Sequence, residues 1–402
     1  MSKLNIGNDL YLKGRIGWRG LSKDEYLKTG DYKIINATAL MDGYIDWDNC
    51  GFISKERYEE SFEIMLQEND ILISKDGTLG KIGFVKNLST PCTIASGIFL
   101  LRNTIPEKLD FDYLYHVLKS DIFKDFIRRN KADGSTINHL YQRDLANFEI
   151  DLPDIETQKK ISNILNELDN KITNNNAINS ELEAMAKTIY DYWFLQFEFP
   201  DKNGKPYKSS GGKMVWNEEL KRDIPYGWEA KQIKEILSKI PKTKKYKTNE
   251  YSPSGKFPII DQSDKYICGF TNESDNLLNI KDCVVFGDHT KHIKYVNFQF
   301  ARGADGTQIL NSSDNRLSNY LLYLQIKDLN LVSQGYSRYF KFLKEKYVLI
   351  PSMDIKERLS NSINFALQKI TLNIVENQEL ASLRDFLLPL LMNGQVVFKE
   401  DN

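Results

Sequence analysis

The sequence predicts an α+β protein: two α/β domains separated by two long helices that pair as an antiparallel coiled coil, with pseudo-two-fold symmetry. An internal repeat, a heptad seam in each repeat copy, and a similar order of motifs around each copy predict it. Residues 153–182 match residues 351–380 at a constant offset of 198 without a gap, with 11 identities in 30 positions running from Pro153/Pro351 to Leu182/Leu380. A period far longer than the 20–50 residues of a solenoid means two large half-molecules, not stacked small repeats.

Each repeat copy reads as a helix. In the first, Ile161, Leu165, Leu168, Ile172, Asn175, Asn179, Leu182, Ala186, Ile189 and Trp193 follow alternating spacings of four and three, the a/d pattern of a coiled coil. The second seam is Leu359, Ile363, Ala366, Ile370, Asn373, Asn377, Leu380, Arg384 and Leu387, with Leu383 expected to take the contact beside Arg384. Both seams break at the same asparagines. A buried Asn weakens a coiled coil but fixes its register, because a slipped pairing leaves its amide without a partner. Two-fold symmetry with its axis across the helices requires them to be antiparallel, so paired positions have a constant sum. Helix centres near 177 and 375 put that sum at about 552, with Asn175 facing Asn377 and Asn179 facing Asn373.

Around the helices the order is globule, helix, linker, globule, helix. The expected divisions are a first α/β domain at 1–152, the first helix at 153–198, a connector at 199–227, a second domain at 228–350, the second helix at 351–394 and a tail at 395–402. In the first domain the runs 33–36, 71–74, 98–102 and 148–152 are strand-like, and 54–68 and 111–129 carry helical periodicity. The connector is rich in turn formers and has no periodicity. The second domain echoes the first: Tyr32-Lys33-Ile34-Ile35-Asn36 resembles Phe257-Pro258-Ile259-Ile260-Asp261, and Ala95-Ser96-Gly97 precedes an apolar run as Ala304-Asp305-Gly306 does.

The formal net charge of −1 conceals an uneven distribution. Residues 201–350 hold 25 Lys+Arg against 17 Asp+Glu, whereas residues 151–200 hold 4 against 9. Polyanion binding therefore belongs to the globular parts and not to the acidic helices. There is no apolar run of membrane-spanning length and no secretory leader pattern, so a cytoplasmic location is expected. Cys50, Cys92, Cys268 and Cys283 form no CxxC pair, which fits reduced thiols and argues against structural zinc.

Catalytic motifs are missing: there is no GxxxxGK[ST], no HExxH, no GxSxG and no glycine-rich cofactor turn. Asp288-His289-Thr290-Lys291-His292 is the nearest approach to a base or metal ligand set, but its histidines lack a partner cluster, and no metal site is expected. A loop of donors facing a polar ligand describes it better.

The candidate DNA contacts follow the turns. Lys75, Thr78 and Lys81 lie in a turn after the strand run 71–74, where backbone amides, ammonium heads and a hydroxyl meet phosphates or base edges. Arg15 and Arg19 flank Trp18, and Ser135 and Thr136 add short polar donors. In the second half Lys242, Lys244, Lys245 and Lys247 surround Tyr246, followed by His289, Lys291, His292, and then Ser337 and Arg338 at much the same distance before Pro351 as residues 134–139 lie before Pro153. Arginine reads guanine bidentately, whereas lysines supply salt-sensitive affinity that is blind to sequence. An ordinary hairpin and a solvated lysine face remain the plain alternatives for the 75–81 turn and the lysine run.

The segment Leu152-Pro153-Asp154-Ile155-Glu156-Thr157-Gln158-Lys159-Lys160-Ile161, the Tyr192-Trp193-Phe194 helix end and the connector from Gly204 to Met214 resemble the DNA specificity subunit of type I restriction-modification enzymes. Stretches 75–83, 134–140 and 224–229 resemble the same family, so the likeness spans essentially the whole chain. It implies two target-recognition domains, each reading half of a split asymmetric site in double-stranded DNA. It also implies that the helices dock two methyltransferase subunits and that motor-nuclease subunits join for cleavage. S-adenosylmethionine, ATP and Mg are then expected on those partner subunits, with no cofactor and no catalytic residue in this chain. Two departures stand out: the chain starts almost at Leu10-Tyr11-Leu12 without a lead-in like Pro225-Tyr226-Gly227-Trp228-Glu229, and the second helix opens with Ile350-Pro351-Ser352-Met353-Asp354 where a Pro-x-x-x-x-Gln start is usual. A stand-alone restriction enzyme and a coiled-coil interaction protein without a DNA role stay open as alternatives.

Overall fold

Short apolar runs become strands and the repeat becomes two long helices in a computed structural model that describes residues 2–16, 20–41, 43–130, 139–331 and 338–396. By its contacts the chain divides into two units, Met1–Lys171 with Leu380–Asn402, and Ile172–Glu379.

The first unit runs β1 (Ser2–Asn5), α1 (Ile6–Asp9), β2 (Leu10–Gly14), β3 (Tyr32–Ile35), β4 (Gly51–Ile53), α2 (Lys55–Glu59), β5 (Ile71–Ser74), β6 (Ile82–Phe84), β7 (Cys92–Ile94), β8 (Ile98–Asn103), α3 (Phe111–Lys119), α4 (Asp121–Asn130), α5 (Gln142–Ala146), β9 (Glu149–Leu152) and the start of α6 (Ile155–Tyr190). One sheet has the order β2-β8-β5-β6 and is antiparallel; the other, β4-β3-β7, pairs β3 with β7 in parallel. Every residue of β5 is buried, as its unbroken apolar run requires of a central strand covered on both faces. β1 pairs antiparallel with β9, Ser2 opposite Leu152, which closes the domain directly before α6. Ile161 and Leu165 of α6 join Leu114, Phe123 and Phe148 in the core, together with Leu388 and Leu391.

The second unit runs β10 (Met214–Asn217), β11 (Arg222–Pro225), β12 (Glu229–Gln232), α7 (Ile233–Ile236), β13 (Lys245–Tyr246), β14 (Phe257–Ile260), β15 (Gly269–Thr271), β16 (Leu277–Leu278), β17 (Cys283–Gly287), β18 (Ile293–Val296), β19 (Phe300–Gly303), β20 (Thr307–Leu310), α8 (Asn319–Ile326), α9 (Tyr339–Lys344), β21 (Tyr347–Ile350) and α10 (Met353–Met392). The wiring repeats that of the first unit. β14 is antiparallel to β15 and parallel to β19, as β3 is to β4 and β7. β17 lies between β18 and β20, as β5 lies between β6 and β8. β12 pairs with β21 before α10 just as β1 pairs with β9 before α6. The strand and short helix of residues 2–9 are thus the counterpart of β12 and α7, a lead-in that the sequence reading did not find.

Three local expectations change. The 54–68 helix is only α2, capped by the Ser54 hydroxyl, followed by a 3₁₀ turn over Phe62–Ile64; Ser61 meets the Arg15 guanidinium and does not continue the helix. The 111–129 helix breaks at Ser120, which is extended and bonds the Val117 carbonyl through its hydroxyl. The connector holds the β10–β11 hairpin, and Phe199 stacks on Tyr207 and on Trp228 at centroid distances of 4.6 and 5.2 Å.

The seam asparagines meet as an antiparallel pairing demands. In the second unit Asn175 Nδ2 donates to Asn377 Oδ1 at 2.9 Å and to Glu376 Oε2 at 2.8 Å, while Asn373 Nδ2 donates to Asn179 Oδ1 at 2.8 Å. Ile161, Leu165, Leu359, Ile363 and the two asparagines 175 and 373 are buried; Leu168, Ile172, Leu182, Ile370 and Leu380 are half-buried. The Leu383 expectation is corrected. Leu383 is 45% exposed, and Arg384 keeps its seam position because Asp169 accepts from it at 2.7 Å in the first unit.

Candidate nucleic-acid interface

The turn after each central strand is held by the same four backbone bonds. In the first unit Lys75 N donates to Gly97 O, Leu140 N to Lys75 O, Ser74 N to Lys81 O and Gly80 N to Ser74 O. In the second, Asp288 N donates to Gly306 O, Tyr339 N to Asp288 O, Gly287 N to His292 O and Lys291 N to Gly287 O. The 75–81 turn and the 288–292 turn are therefore one structure built twice, each braced by a second turn and by the entry to a short helix. These bonds satisfy the backbone of each turn, and Thr78, Lys291 and His292 on the turns are exposed.

Side chains reinforce each copy differently. Ser74 Oγ donates to Thr78 O at 2.6 Å and accepts from Lys81 N at 2.8 Å, and His139 Nδ1 contacts Asp76 Oδ1. In the second copy Asp288 Oδ1 accepts from Phe340 N at 2.9 Å, and Gln262 spans the turns, accepting from His289 N at 3.1 Å and donating to Asp305 O at 2.9 Å. Tyr26 donates to Asn36 at 3.0 Å and Tyr251 to Asp261 at 3.0 Å, a pair repeated at an offset of 225. The sequence reading missed Gln262, Tyr26 and Tyr251, although the same offset relates Asn36 to Asp261.

The candidate residues divide by exposure. Thr78, Lys291, His292 and Arg338 are exposed, and Lys75, Lys81 and His289 are half-buried at the turns. Burial lowers the Lys75 pKa, and its amine lies 4.9 Å from the Phe99 ring centroid. Lys291 Nζ lies 4.2 Å from the Tyr339 ring centroid. Lys242, Lys245 and Lys247 are exposed with no ion pair among the described residues. Lys244 differs, pairing with Glu250 at 3.2 Å and Glu273 at 3.3 Å, whose carboxylates raise its pKa.

Arg15 is a correction. It is 3% exposed, and its guanidinium donates to Ile94 O at 2.9 Å and reaches Ser61 and Thr93, so it knits the sheet from inside and cannot reach a phosphate. Arg19, Ser135, Thr136 and Ser337 lie outside the described residues. Among the described residues no His/Cys/Asp/Glu cluster fits a metal, and no helix is long and apolar enough to cross a membrane.

A family model described as "Type I restriction modification DNA specificity domain" matches residues 17–184. The chain is similar to the type I restriction enzyme MjaIX specificity subunit of Methanocaldococcus jannaschii, 26% identical over 372 residues that cover 87% of this chain and 82% of the relative. It is also similar to the HindI specificity subunit of Haemophilus influenzae, 22% identical over 369 residues, 71% of this chain and 77% of the relative. The crystal structure of the type I S subunit from M. genitalium shares the fold, with a TM-score of 0.57 at 20% identity over 97% of this chain and 95% of that one. Over residues 17–184 the chain thus matches the type I restriction modification DNA specificity domain, over most of its length it is similar to specificity subunits of type I restriction enzymes, and its duplicated α+β domains and long helices share the fold of a type I S subunit.

Proposed function

We propose that the chain reads a split asymmetric site in double-stranded DNA, one half-site per recognition domain, through the two equivalent turn clusters. The observation that carries this is the duplication of the turn scaffold with different side chains on it: Lys75, Thr78 and Lys81 in one copy, His289, Lys291 and His292 in the other. A conserved backbone bearing divergent donors suits two readers of different base edges, with Lys242, Lys245 and Lys247 adding salt-sensitive phosphate contacts.

The helices, in this reading, dock two methyltransferase subunits, with motor-nuclease subunits joining the assembly. Exposed apolar side chains at heptad spacing support it: Ile178 and Met185 on α6 with Tyr192 just past its end, and Phe365 and Leu372 on α10, at 75% and 65% exposure for the last two. S-adenosylmethionine, ATP and Mg belong to those partners, and the complex works in the cytoplasm. The test is methylation of a randomised site library by the chain with its methyltransferase partner. Thr78→Ala with Lys81→Ala should relax one half-site, and Lys291→Ala with Arg338→Ala the other. Loss of both halves together from either pair would overturn the reading.

A further inference from the structure

The second unit holds a cleft of about 450 Å³ where α6 and α10 meet α8 and the turn after β14. The corresponding place in the first unit is closed by charge. There the α3 residue Lys119 lies 3.2 Å from Asp169 and 5.0 Å from the Tyr115 ring centroid, and Arg384 takes the other Asp169 oxygen at 2.7 Å. Matching the helix caps Asp110 and Ser318 puts Lys327 at the position of Lys119 and Tyr323 at that of Tyr115. The repeat offset of 198 then puts Leu367 in place of Asp169 and Ala186 in place of Arg384. The ion network is gone, and Lys327 reaches Glu183 only at 3.8 Å, with the two side chains 37% and 50% exposed.

The emptied cleft keeps a distinct chemistry. Ile370 and Ile374 line it with apolar side chains, Glu183 and Asp264 supply carboxylates, and Tyr320 and Tyr323 add aromatic rings, the second with Lys327 Nζ 5.5 Å from its centroid. Tyr320 is 5% exposed, yet its hydroxyl, on a residue lining the cleft, has no hydrogen-bond partner among the described residues. The nearby Lys294 amine is engaged by the carbonyls of Asp261, at 2.8 Å, and Lys265. Carboxylates and π faces beside a hydrocarbon wall favour ammonium groups joined by methylenes.

We propose that this cleft binds an aliphatic polyamine, in the place where the first unit uses its own Lys119 and Arg384. Asp264 follows Asp261 and Gln262, which brace the second recognition turn, so occupancy also bears on that turn. Calorimetric titration of the full chain with spermidine, without DNA and at fixed ionic strength, tests the site independently of the DNA reading. One saturable site is expected, weakened about tenfold by Glu183→Gln or Asp264→Asn, less by Tyr320→Phe. Leu367→Asp, which gives Lys327 the partner that Lys119 has, should abolish binding. Thermal unfolding checks that each variant folds. No saturable heat, affinity indifferent to both Glu183→Gln and Tyr320→Phe, or equal competition by Mg²⁺ at matched ionic strength would overturn the proposal.

Discussion

Lys291 has φ +64° where its counterpart Gly80 has φ +75°. A side chain in the left-handed region costs about 1 kcal/mol, and glycine removes that cost. Lys291→Gly should therefore raise thermal stability while weakening binding of one half-site, measured by calorimetry and by affinity for half-site duplexes. Arg15→Met makes the opposite case: the Ile94 carbonyl and Ser61 lose their donor, stability should fall by on the order of 2 kcal/mol, and the salt dependence of DNA binding should not change. His116 adds a pH dependence. Burial lowers its pKa, against the opposing pull of Asn166 and Asp169. The unfolded chain then takes up the proton first as pH falls through its ordinary value near 6.5, so stability is full above that value and declines below it toward the lowered folded pKa. Denaturant titrations between pH 8 and 5 should show this slope in the parent and lose it in His116→Gln.

At the scale of elements, the asparagine layer argues for register more than for strength. Asn175 donates to both Asn377 and Glu376, so Asn175→Leu removes two hydrogen bonds of the seam and should cost about 1–3 kcal/mol in denaturant unfolding. Asn373 donates to Asn179 Oδ1 at 2.8 Å and to the Asn175 carbonyl at a long 3.5 Å, and among the described residues its Oδ1 is buried without a partner, so Asn373→Leu should cost less. The pairing was legible because heptad spacing and the place of the polar breaks follow directly from the period of a helix. The failure at Leu383 has a physical cause. A charged residue was read as excluded from the seam, but Asp169, from the facing helix, neutralises Arg384 there, a contact no one-dimensional pattern contains. The helix expected over 54–68 failed similarly, because Ser61 is drawn to a buried guanidinium supplied from residue 15.

At the scale of the whole chain, the duplication makes a modular prediction. Replacing residues 1–152 with the same domain of a relative should change one half of the methylated sequence and leave the other half intact, as read by methylome sequencing with the partner present. The sequence by itself determined the repeat, the two helices and their pairing, the resemblance to a family, and the absence of catalytic motifs, since all of these rest on periodicity or on contiguous residues. Tertiary structure decided the rest. Strand pairing joins residues far apart in the chain, so the equivalence of the 75–81 and 288–292 turns appears only when Gly97 and Gly306, and Leu140 and Tyr339, close on them through backbone groups that carry no sequence signature. Folding likewise withdrew Arg15 into the sheet and left the cleft beside Tyr320 open, because burial is set by what packs around a residue and not by the residue itself.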